Sequence, residues 1–158
     1  QCGADAVKIE GGESLAPNVR CLVQAGIPVM GHIGLLPQRV IELGGYRKFG
    51  KTEAEKAQLV ADAKALEAAG AFCIVGEMMA ADAAEAVQKA TGVPLIGIGA
   101  GNCCDGQIIV STDILGLTPG GAPSFAKIYA DLGSAAREAF SAYAADVREG
   151  RFPVSKPQ

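Results

Sequence analysis

The sequence predicts an α/β fold built on a parallel sheet. Three observations carry that prediction. Four similar segments recur along the chain, CGADAVKIEGG, AGIPVMGHIG, AGAFCIVGE and TGVPLIGIGAG, each with a glycine, a short turn, an apolar run and a polar or glycine-rich end. Their leading glycines, Gly3, Gly26, Gly70 and Gly92, lie 23, 44 and 22 residues apart, so the middle gap is two units long. Most of these runs are nearly continuous in apolar residues, the pattern of parallel strands covered on both faces, and the stretches between them have helical character.

The first strand is Val7-Lys8-Ile9-Glu10, with β-branched Val7 and Ile9 alternating with two charges. Side chains alternate across a strand, so Lys8 and Glu10 share one face. A helix is expected over 14–25. The second apolar run, VMGHIG, ends at Gly34. Thr52 to Ala69 is the clearest helix. Thr52-Glu53-Ala54-Glu55 fits a capping box, Ala57, Val60, Ala61, Ala63, Leu66 and Ala69 give an apolar stripe, and Gly70 ends it. CIVGE is the third strand and closes on Glu77. A third helix covers 81–91, and the fourth strand runs into Gly97–Gly101 (GIGAG). QIIVST (107–112) is expected as a fifth strand. Residues 124–150 read as mostly helical with a break near Gly133, and 153–158 as a loose end.

Two architectures fit this order, a doubly wound sheet and a (β/α)8 TIM barrel. The barrel is preferred because polar residues sit inside, or at the C-terminal ends of, several strands, where barrel sites collect. The whole chain, 1–158, is read as one domain, with βα units over 1–122, C-terminal helices over 123–150 and a tail over 151–158. Gln1-Cys2-Gly3-Ala4-Asp5 reads as a helix end turning into a strand, and five strands cannot close a barrel. The expectation is a C-terminal part of a barrel, completed by an N-terminal portion or a partner chain.

Composition bounds the function. Hydrophobic residues make up 49% and charged residues 20% of 158, which is globular. A net charge of −3 favours neither nucleic acid nor anionic lipid. No apolar run approaches the roughly 18 residues of a membrane span. The five cysteines, Cys2, Cys21, Cys73, Cys103 and Cys104, are odd in number and form no C-x-x-C pair, so a reduced cytoplasmic compartment is the simplest reading. The neighbours Cys103 and Cys104 lack the spacing of a metal site.

Four side chains are the candidate chemistry. Lys8 and Glu10 on one strand face form either a structural ion pair or a site in which Lys8 holds an anion and Glu10 a hard cation. His32 is the single histidine, which excludes a two-histidine zinc site, and it sits between glycines near a strand end. Glu77 ends its strand either as a general base or as a carboxylate facing the next helix dipole. Two further patterns carry less. Gly45 to Thr52 satisfies G-x-x-x-x-G-K-[ST] letter for letter, but it does not follow a buried strand, and Tyr46 and Phe49 would crowd a phosphate. It reads instead as a basic loop with Thr52 as a helix cap. GIGAG lacks the sixth-place glycine of a dinucleotide fingerprint.

VKIEGG, GHIGLLPQ, the Glu77 strand and IGIGAGNCCDGQIIVSTDILGL together resemble the ketopantoate (3-methyl-2-oxobutanoate) hydroxymethyltransferase family, over nearly the whole chain and in order. The resemblance implies a TIM barrel of the phosphoenolpyruvate/pyruvate type, in which this chain supplies about the last five βα units. It also implies Mg²⁺ and 5,10-methylenetetrahydrofolate, with 3-methyl-2-oxobutanoate converted to 2-dehydropantoate for pantothenate and coenzyme A synthesis. A homo-oligomer, commonly a decamer, is implied as well. Residue by residue, Lys8 and His32 resemble substrate-binding groups, Glu10 a Mg²⁺ ligand and Glu77 the proton acceptor. The family's other metal ligands are aspartates from earlier strands, so the N-terminal portion is an expected partner and the chain alone is expected to be inactive. Two other readings stay open: a related Mg²⁺-dependent α-keto acid lyase, although its cysteine loop is missing, and a non-catalytic truncated barrel module.

Overall fold

The computed structural model describes residues 3–42 and 44–154. The expectations for Gln1-Cys2 and for 155–158 fall outside them. Contacts divide the chain into two compact units, Gln1–Ile108 and Ile109–Gln158.

The first unit is a five-stranded parallel sheet in sequential order. Its strands are β1 (Val7–Glu10), β2 (Val29–Gly34), β3 (Cys73–Glu77), β4 (Leu95–Ile98) and β5 (Gly106–Gln107). Helices α1 (Ala16–Gln24), α2 (Glu53–Ala68) and α3 (Ala81–Ala90) follow the first three strands. Strand order shows no reversal, as a doubly wound sheet would. The register sets Glu10 beside His32, and Gly34 beside Glu77.

One face of the sheet packs on the helices. Val29, Ile33, Ile74 and Leu95 meet Val19, Leu59, Ala63, Leu66 and Val87 in a single core. Each fully buried leucine or isoleucine there contributes roughly 2–3 kcal/mol. Gly31 lies on this face because Leu66 fills its space: a Cβ there would sit 2.8 Å from Leu66 Cδ1. Alternation sends Lys8, Glu10, His32, Val75 and Glu77 to the opposite face.

Helix α2 starts as expected. Thr52 is its N-cap and accepts from Glu55 N at 3.2 Å, while the Glu55 carboxylate reaches Lys51 N at 2.9 Å. Gly70 closes it with φ +100°. The buried stripe differs from the expected one. Leu59, Ala63 and Leu66 are inside, whereas Ala57 and Ala61 are exposed. Alanine is compatible with either face, so it misplaces a stripe that the leucines define.

Two expected elements are corrected. The fifth strand is not 107–112 but Gly106–Gln107, pairing Ile96 and Gly97. Ile108 N still donates to Gly97 O at 3.0 Å, but β4 ends at Ile98 and offers no further edge. Ser111–Ile114 is the short helix α4 instead. In the second unit, α5 covers Leu132–Arg148, and 124–130 are not helical. Asp131 caps it, accepting from Ser134 N at 3.0 Å. Gly133 therefore lies in the first turn rather than breaking the helix. Its missing side chain lets Gly116 O approach, 2.5 Å from where a Cβ would be.

Candidate active site

The four candidate side chains converge. β1 ends on Glu10 and β3 on Glu77, and His32 stands on β2 between them. Lys8 Nζ lies 3.5 Å from Glu10 Oε1, which in turn is 4.0 Å from His32 Nδ1. On the other side, His32 Nε2 lies 3.2 Å from Glu77 Oε2. The chain of polar groups thus runs Lys8–Glu10–His32–Glu77 across three neighbouring strands.

Burial grades along it. His32 is 1% exposed, Glu10 and Glu77 are about one-sixth exposed at the side chain, and Lys8 is nearly half exposed. Neither ring nitrogen of His32 makes an aligned hydrogen bond, although both have carboxylate neighbours. A buried polar atom left this way costs stability unless a ligand completes it. The arrangement can bind an anion at Lys8, hold a proton on the imidazole, and present Glu77 as a base.

Among the described residues no group of three or more His, Cys, Asp or Glu is placed to hold an ion. The Glu10 carboxylate is an oxygen donor of the type that suits Mg²⁺, an ion often held by one or two carboxylates plus water and substrate oxygens. Glu10 Oε2 has only a long contact, 3.4 Å, from Gln38 N.

Several features escape sequence reasoning. Met78, directly after Glu77, has φ +49°, the left-handed region that few non-glycine residues adopt. Phe49 forms a parallel bridge with Met79, so the basic loop is tied to the end of β3. That loop is not a phosphate cradle. Arg47 pairs with Glu55 at 2.7 Å and lies 3.9 Å over the Phe49 ring, and Lys51 N is taken by Glu55. Beneath it is a cavity of about 270 Å³, walled by Leu36, Phe49, Leu59 and Asp62.

In the GIGAGNCCDGQ segment, Asp105 Oδ2 accepts from Leu95 N at 2.9 Å, and Gln107 Nε2 donates to Gly101 O at 2.9 Å. These residues close the β4–β5 loop. Cys104 packs where a Gly97 side chain would go, and burial first, then Cys103, pushes its thiol up to about 11.

The parallel sheet with its covering helices makes this an α/β protein, and its polar groups gather at the carboxyl ends of the strands, the rim where such folds place their ligand sites. A family model described as ketopantoate hydroxymethyltransferase matches residues 1–155. The chain is 56% identical to 3-methyl-2-oxobutanoate hydroxymethyltransferase of Pyrobaculum neutrophilum over 154 residues, covering 98% of this chain and 59% of the relative. Against the proteins of the same name from Sulfurisphaera tokodaii and Moorella thermoacetica the identities are 54% and 52%, each covering 96% of this chain and 56% of the relative. A crystal structure of the YdjI aldolase from Escherichia coli K12 matches with a TM-score of 0.42 and 17% identity, over 71% of this chain and 47% of that one. The chain belongs to the ketopantoate hydroxymethyltransferase family, and it spans somewhat under three-fifths of the length of these relatives.

Proposed function

We propose that this chain is the catalytic arc of a (β/α)8 barrel that transfers a hydroxymethyl group from 5,10-methylenetetrahydrofolate to 3-methyl-2-oxobutanoate, giving 2-dehydropantoate. The observation that carries the reading is the Lys8–Glu10–His32–Glu77 convergence on three adjacent strands. Sequential strand order supports the barrel arc. The rest of the barrel belongs to the part of the relatives that this chain does not cover.

In this reading Glu77 takes the proton from C3 of the keto acid. Water releases the one-carbon unit from the folate as formaldehyde and its two protons go to the departing tetrahydrofolate; the electron pair left on C3 bonds to that carbon, and the proton on Glu77 passes to the new alkoxide. Lys8 holds the substrate's negative charge as it moves toward the carbonyl oxygen. His32, buried and flanked by both carboxylates, contacts the substrate. Glu10 would be one ligand of Mg²⁺, which when bound polarises the keto carbonyl. Further ligands would come from substrate, water and the uncovered portion of the protein. A cytoplasmic homo-oligomer, a decamer as the family suggests, is part of the same reading.

The test uses the full-length protein. Glu77→Gln is expected to slow exchange of the C3 proton with solvent by about 10²–10⁴-fold while the keto acid still binds. Exchange at the wild-type rate removes Glu77 from the role of base.

A further inference from the structure

We infer that the backbone around Met78 is a clamp that positions Glu77, with Met78 held in the left-handed region by three neighbouring segments. The inference rests on reading Glu77 as the base, and it names the device that aims that side chain.

Backbone groups around the Glu77–Met78 junction are tied to three separate segments. Glu77 O accepts from Leu35 N at 2.9 Å, beyond the end of β2. Met78 N donates to Ile98 O at 2.8 Å, at the end of β4. Met78 O accepts from Phe49 N at 2.7 Å, and Ala80 N donates back to Phe49 O at 2.8 Å, so the basic loop is joined to 78–80 by one parallel bridge. Gly34 completes the clamp. It has φ +89°, and a Cβ there would lie 2.2 Å from Glu77 O.

A methionine does not adopt φ +49° by preference. Left-handed non-glycine backbone persists where surrounding structure over-determines it, and such positions cluster at functional sites. Here the over-determination is explicit, and the residue it constrains adjoins the carboxylate 3.2 Å from His32. Rotating the Met78 peptide back to an ordinary φ would break the bond to Ile98 or to Phe49 and swing Glu77 from the imidazole. Met78 is half-buried and Met79 is fully buried, so the neighbouring side chain anchors the turn in the core. Met78 and Phe49 are positioning residues: they act through Glu77.

The experiment compares Met78→Val with Met78→Gly and Met78→Asn in the full-length protein. Valine disfavours positive φ, whereas glycine and asparagine tolerate it. Val is expected to slow C3 proton exchange on the order of a hundredfold, with the KM for the keto acid nearly unchanged. Crystal structures are expected to show the Glu77–His32 approach lost. Gly and Asn are expected to keep most of the rate and the approach.

Wild-type exchange and spacing in the Val variant overturn the clamp. So does a Gly variant as slow as Val, because the methionine side chain rather than the backbone would then matter. If Val does not fold, the Gly and Asn variants decide on the same two readouts, and loss of either readout in both overturns the proposal. Glu77→Gln is run alongside. Should it exchange at the wild-type rate, the base assignment falls and the clamp is judged by the Glu77–His32 spacing alone.

Discussion

His32 Nε2 and Glu77 Oε2 approach to 3.2 Å from adjacent parallel strands, while Nδ1 of the same ring faces Glu10 at 4.0 Å. One imidazole thus separates two carboxylates that register alone would bring onto the same face. A neutral ring can donate from only one nitrogen, so both carboxylates are served together only when the ring carries two protons. The ring is buried without an aligned partner, which is a poor arrangement for stability and a useful one for a ligand.

That contrast predicts opposite effects of one substitution. His32→Leu removes two unsatisfied buried nitrogens and is expected to leave stability unchanged or raised by about 1 kcal/mol, while turnover falls by more than tenfold. Thermal melting of the full-length protein, read beside the transferase assay, checks both. A lowered melting point with retained turnover would mean that the ring serves the fold alone.

The glycines of β2 are predicted to differ. Gly34→Ala meets a backbone carbonyl at 2.2 Å and carries φ +89°, so neither space nor conformation allows it. It is expected to cost more than about 2 kcal/mol. Gly31→Ala meets a side chain rather than backbone, Leu66 Cδ1 at 2.8 Å, and its φ is not in the left-handed region. Urea midpoints are expected in the order wild type, Gly31→Ala, Gly34→Ala. Reversal of the last two contradicts the packing described for the end of β2.

Acid stability follows from carboxylates held below their ordinary range. Lys56 does this to Asp82, Arg47 to Glu55, and the backbone N–H of Leu95, followed by Gln88, to Asp105. Each binds its proton more weakly in the folded state than in the unfolded one. Their stabilisation is therefore present above the unfolded carboxylate value of about 4 and is lost as pH falls through the lower folded values. The urea midpoint is expected to hold from neutrality to about pH 5 and to drop below about pH 4. High salt should shrink the part due to Lys56 and Arg47, because these pairs are exposed. A midpoint that stays level to about pH 2 would remove these groups from the account.

Much of the sheet was legible in the residues. Val7–Glu10, Val29–Gly34, Cys73–Glu77 and Leu95–Ile98 are apolar runs between glycine-marked turns, and they fold as written. The run QIIVST misled because β-branched composition measures fit to a sheet, not the presence of a partner edge. Lys8, Glu10, His32 and Glu77 stood out as polar groups on apolar strands, but their spacing could not be read from the chain. The backbone conformation of Met78 could not be read from the chain either, since it is imposed by Leu35, Phe49 and Ile98 from three separate segments.

The amino-acid order by itself determined the alternation of strands and helices, the cap at Thr52, and which polar side chains share a strand face. Those are local properties, set by dihedral preference and by periods of two and 3.6 residues. Only the tertiary structure decided that His32 stands between Glu10 and Glu77, and that the loop at Phe49 clasps the end of β3. Such relationships depend on register between strands more than twenty residues apart. Register is fixed by packing across the whole sheet, so no single segment of the chain encodes it.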